Sequence, residues 1–93
     1  MNKAEQLKNE LANSGLFDKD KVLEVVSNGI KHNGESCITE YARMSGVKYG
    51  NCNIECSNAI GHAIASYLRS EGFNVKNDHH PISGHWCGYI VTI

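Results

Sequence analysis

Long apolar runs are missing from this chain, and so is any block of like charge. No uninterrupted apolar stretch is longer than that of Tyr89–Val91, which is far too short to span a bilayer. Nine basic residues stand against ten acidic ones, for a net charge of −1, so bulk charge gives no sign of the basic patch that nucleic-acid binders use to release counterions. Proline occurs once, and no low-complexity stretch or internal linker interrupts the 93 residues. The beginning, Met1-Asn2-Lys3-Ala4-Glu5-Gln6, lacks the apolar core of a signal peptide. A cytoplasmic protein without membrane contact is therefore expected. Its four cysteines are expected as free thiols, because cytosolic reductants keep them reduced.

What is present fits one globular domain spanning residues 1–93. Apolar residues make up 41% and charged residues 20%, enough apolar surface to offset the entropy of ordering. A domain of this size buries roughly two thirds of its unfolded surface, so its stability is modest.

Helical periodicity is readable in several places. Ala4, Leu7 and Leu11 fall on one face of a helix over 3–14, closed by Gly15. A second helix starts at Asp18, whose carboxylate suits the free amides of a first turn. Phe17 and Val22 are spaced as a hydrophobic staple, Val22, Val25, Val26 and Ile30 form the buried stripe, and Asn33-Gly34 ends it. Residues 36–45 fit either a short helix, with Ser36 as N-cap and Ile38, Tyr41 and Ala42 on one face, or a strand carrying Cys37, Thr39 and Tyr41; the helix is favoured. Residues 47–55 read as a loop. A long helix over 55–71 carries the cleanest stripe, Cys56, Ile60, Ala63, Ile64, Tyr67 and Leu68, and leaves His62 and Ser66 on its other side. The C-terminus reads as a hairpin with a loop at 78–84. In its last strand Cys87, Tyr89, Val91 and Ile93 face one way, and Trp86 and Ile90 the other. The expected fold is α+β, with three to four helices packed on a small antiparallel sheet that includes the hairpin 73–93.

Candidate chemistry is sparse. Cys52, Cys56, His85 and Cys87 could supply a Cys3His zinc site, but Cys56 and Cys87 lie on apolar faces, where a buried thiol serves as a small hydrophobe. No cofactor is expected. Cys37 with His85 could form a thiol nucleophile and base, yet no residue is placed to orient the base and the chain is short for a substrate cleft. The expectation is a non-enzyme. From His79 to Ile93 there is no Lys, Arg, Asp or Glu, and depleted charge with aromatics marks an interface core. The loop through His79, His80, Pro81 and Ile82 is poor core material. His79, His80, Ile82, His85 and Trp86, with Tyr49 and Asn51 on another loop, are the candidate partner-binding residues.

Two resemblances add to this. Ala42-Arg43-Met44-Ser45-Gly46-Val47, preceded by Ile38-Thr39-Glu40-Tyr41, resembles the centre of winged helix-turn-helix regulators. That likeness implies DNA contacts at Arg43, Lys48, Tyr49, Asn51 and Asn53. It departs from the family at Glu55, where an apolar residue belongs, and in the long span from Val47 to Gly72. The ending Tyr67-Leu68-Arg69-Ser70-Glu71-Gly72-Phe73-Asn74-Val75, followed by Tyr89-Ile90-Val91-Thr92-Ile93, is similar to many short proteins encoded by tailed bacteriophages. That likeness implies an inhibitor that binds a host protein of defence or transcription. The leading expectation is thus a small protein-binding module, with a winged-helix DNA-binding regulator as the alternative. A homodimer is compatible with both.

Overall fold

The computed structural model describes residues 2–4, 17–41 and 46–93. The expected first helix, over 3–14, lies outside the described residues from residue 5 onward. Helix α1 (Lys19–Asn33) forms as its sequence signals suggest. The Asp18 carboxylate accepts from Lys21 N at 3.1 Å, and Gly34 N closes the last turn on Ile30 O at 2.9 Å. Val22, Val25 and Val26 are its buried stripe. Phe17 is buried just ahead of the helix, its ring centroid 5.8 Å from that of Tyr67.

After Gly34 the chain enters strand β1 (Ser36–Glu40), so the favoured helix over this segment is corrected. A five-residue window satisfies both periods. Pairing on both sides decides between them, because β1 becomes the central strand and its backbone groups meet neighbours that a helix could not offer. Ser36 and Ile38 turn inward; Cys37 and Thr39 turn to the opposite face. The expected loop over 47–55 is corrected too. It holds strands β2 (Val47–Tyr49) and β3 (Asn53–Cys56), joined through Gly50–Cys52. Cys56 ends a strand rather than beginning a helix. Helix α2 (Asn58–Ser70) buries Ile60, Ala63, Ile64, Ala65 and Leu68. It closes with Phe73 N on Leu68 O at 3.0 Å and Gly72 N on Arg69 O at 3.1 Å, a Schellman ending. Strands β4 (Asn74–His79) and β5 (Trp86–Thr92) complete the chain.

The five strands lie in the order β2-β3-β1-β5-β4. Only β1 and β3 run parallel; the other neighbours are antiparallel. The sheet is therefore mixed and not antiparallel as expected, and the described residues contain two helices where three to four were expected. The α+β class stands. Register puts Ile38 beside Ile54 on one side and Tyr89 on the other. These three join Val22, Val25, Ile64, Leu68 and Val91 in one buried cluster between the helices and a single face of the sheet. The opposite face carries Lys48, Glu55, Cys37, Thr39, Ile90, Lys76 and Asp78 by the same alternation.

Two glycines are forced by close approach. Gly88 has φ +141°, and a Cβ there would lie 1.9 Å from the Ile38 carbonyl oxygen on β1. Gly29 faces the start of β1, where a Cβ would lie 2.7 Å from Ser36 Cβ and 2.9 Å from Cys52 O. At that junction the buried Ser36 hydroxyl donates to Cys52 O at 2.6 Å, tying the turn before β3 to β1.

Candidate protein-binding site

The β4–β5 connection occupies residues 80–85, and the chain's own polar groups fix its shape. His80 N donates to His85 O at 2.7 Å, and Gly84 N to His80 O at 2.9 Å. The His80 ring turns back into the loop, where Nδ1 accepts from both Ile82 N and Ser83 N at 3.2 Å. A ring nitrogen that accepts carries no proton, so the neutral imidazole holds its hydrogen on Nε2. Ser83 Oγ accepts from His85 N at 3.4 Å. This scaffold leaves Ile82 91% exposed, the most exposed large apolar side chain described. His79, His80 and His85 are exposed around it.

Trp86 sits at the base of the loop on the helix-facing side, not on the opposite face as strand alternation predicts. The reason is a β-bulge. Gly88 pairs with Asp78 and Trp86 with His79, so Cys87 is an extra residue without a register partner. One inserted residue inverts the alternation and brings Trp86, instead of Cys87, onto the side of Tyr89. There the Trp86 ring lies 5.2 Å from the Tyr89 ring and 5.3 Å from the His62 ring. Trp86 Nε1 donates to Asn77 Oδ1 at 3.1 Å. His62 Nδ1 is hydrogen-bonded to the Tyr89 hydroxyl, and the Arg69 guanidinium lies 5.6 Å from the Tyr89 ring centroid. Burial pushes the Tyr89 hydroxyl pKa up, and Arg69 opposes the shift. The cluster of Trp86, His62, Tyr89 and Asn77 anchors the hairpin to α2. Sequence reasoning missed His62 and Asn77; only a recognised bulge at Cys87-Gly88 could have placed Trp86 above α2.

The remaining candidates do not converge on this loop. Tyr49 and Asn51 lie at the β2 edge, four strand spacings or roughly 19 Å from β4. Strand directions put them at the opposite end of the sheet as well. Tyr49 helps to hold the fold, since its hydroxyl accepts from Asp18 N at 3.0 Å and seats the start of α1. Burial raises its pKa, and the Asp18 backbone bond works against this. The DNA-contact candidates Lys48 and Tyr49 are on β2, Asn51 in the turn and Asn53 on β3, all on sheet rather than on a recognition helix. Arg43 lies outside the described residues.

The candidate zinc ligands are dispersed. Cys52 immediately precedes β3 and Cys56 ends it, roughly 13 Å apart along an extended strand. Cys56 is buried in the core, its thiol pushed up to about 11 by burial. His85 and Cys87 lie at the β5 end of the hairpin. Among the described residues no group of three or more His, Cys, Asp or Glu could hold a metal ion. Cys37 is on β1, where burial, then Glu35 and Asp78, push its thiol pKa up. That is the opposite of what a nucleophile needs. A narrow crevice, about 140 Å³ including its open part, runs along the ends of β1 and β3 between Glu40, Ser57, Asn58 and Trp86.

No family model, no curated protein and no solved structure matches the chain. No helix among the described residues is long and apolar enough to cross a membrane.

Proposed function

We propose that this chain is a non-catalytic protein-binding module that engages its partner through the 80–85 loop, with Ile82 as the anchor. The observation that carries the reading is the 91% exposure of Ile82 on a loop fixed by its own hydrogen bonds. An exposed isoleucine gains about 1.5–3 kcal/mol when a partner covers it, and a loop already in one shape loses little entropy on docking. The surrounding histidines are polar enough to form a rim. Trp86, held by Asn77 and His62, supports the loop from below. Similarity to short tailed-phage proteins extends the proposal to a host protein of defence or transcription, inhibited by occlusion of its surface.

The test is recovery of a partner from nuclease-treated bacterial lysate with the tagged chain, followed by affinity measurement with the purified partner. Ile82→Asp leaves the core untouched and is expected to weaken binding at least tenfold, with an unchanged circular dichroism spectrum. An unchanged affinity removes the loop from the interface. Recovery of DNA instead of protein, with affinity falling steeply as salt rises, would favour a DNA-binding regulator.

A further inference from the structure

The loop is not the one surface that offers unfilled bonding capacity. Strand β4 is the last strand on its side of the sheet, and no described strand pairs with its outer edge. Which backbone groups face outward follows from the hairpin. His80 N donates across to His85 O, so residue 80 directs its backbone groups toward β5. The bulge lies on β5, leaving the two-residue alternation of β4 uninterrupted. Asp78, Lys76 and Asn74 therefore also bond inward, and Val75, Asn77 and His79 direct their N–H and C=O outward. Arg69 agrees with this parity, because its guanidinium donates to Val75 O at 3.1 Å from α2.

We infer that β4 is a self-association edge, on which two copies of the chain pair β4 with β4 antiparallel about a two-fold axis at Asn77. In that register the outward groups of Asn77 meet those of Asn77 in the second copy, and Val75 meets His79, whose N–H takes the lone pair of Val75 O that Arg69 leaves open. Between them Lys76 falls directly opposite Asp78 of the second copy, twice by symmetry. These are non-hydrogen-bonded positions, where cross-strand side chains are closest. Both residues are on the face of the sheet away from the helices, clear of the core. The neighbouring symmetric registers are disfavoured by the same charges. An axis at Lys76 sets lysine against lysine, and an axis at Asp78 sets aspartate against aspartate. The charges thus act mainly to select register, since exposed ion pairs add little affinity. Pairing turns two five-stranded sheets into one of ten strands. It covers a strip only six residues long, so the dimer is weak and concentration-dependent.

The test is sedimentation of the full chain across a wide concentration range, with amide hydrogen exchange read by NMR at low and high concentration. The wild type is expected to pass from monomer to dimer. The amides of Val75, Asn77 and His79 should exchange fast when dilute and at least tenfold slower when concentrated. Lys76→Glu, which opposes two acidic residues at each pair, is expected to remain monomeric. Lys76→Glu combined with Asp78→Lys restores opposite charges and is expected to restore the dimer. A chain that stays monomeric at every concentration overturns the inference. So does a dimer whose Val75, Asn77 and His79 amides stay fast, or a double swap that fails to recover association while keeping a folded spectrum.

Discussion

Replacing Gly88 by alanine should remove a large share of the stability of this domain. Two costs combine. Gly88 has φ +141°, a conformation that costs a side-chain-bearing residue on the order of 1–3 kcal/mol. The new methyl would also lie 1.9 Å from Ile38 O, 2.9 Å from Ile38 C and 3.1 Å from Thr39 Cα. These are backbone atoms of the central strand and cannot rotate away. Overpacking of that kind costs about 1–3 kcal/mol, giving about 2–6 kcal/mol together. A domain of 93 residues has roughly 5–14 kcal/mol in all. The assay is urea denaturation followed by the fluorescence of Trp86, the single tryptophan, beside thermal melting by circular dichroism. Gly46→Ala is the control, since a Cβ there meets no atom of the described residues within 4 Å, and it should change stability by less than about 0.5 kcal/mol. A Gly88→Ala protein within about 1 kcal/mol of wild type would refute the close approach of β5 to β1 and, with it, the bulge that directs Trp86.

Other outcomes follow from particular contacts. Gly29→Ala in an ordinary helix interior would stabilise by about 1 kcal/mol; crowding against Ser36 and Cys52 should make it destabilising instead, by chemical denaturation. Ser36→Ala leaves the Cys52 carbonyl without the hydroxyl that donates to it and should cost about 1–3 kcal/mol in the same assay. The Cys56 thiol has its pKa raised from 9.0 to about 11. Its contribution is therefore fully present below pH 9 and lost as pH rises toward 11, at most about 2–3 kcal/mol, and Cys56→Ala should flatten that part of the stability profile. His80→Ala should speed exchange of the Ile82 and Ser83 amides that the imidazole now holds, whereas His80→Asn, which retains a side-chain acceptor, should preserve part of their protection.

How legible the molecule was depended on whether local signals sufficed. Helix α1 could be read because its cap, its stripe and its terminal glycine all lie within one segment. The stripe of α2 was legible for the same reason. Residues 36–40 and 53–56 were not, because both strands are short and become strands through partners distant in sequence: β1 needs β3 and β5, and β3 needs β1 and β2. Exposure of the 80–85 loop was legible in its proline, glycine and histidines. The face occupied by Trp86 was not, because one unpaired residue reverses a period-two pattern. Tyr49 and Asn51 share with the loop only a turn-rich local composition, and strand order places them at the far corner.

The ring of His80 has a consequence for how such a surface could change over generations. It fixes the loop by accepting from the main chain at residues 82 and 83, and every residue except proline offers that main-chain hydrogen. The side chain at position 82 takes no part in holding the loop's shape. Under the binding role proposed above, substitution at 82 would redirect recognition while the geometry stays constant, and the core would be left unaltered.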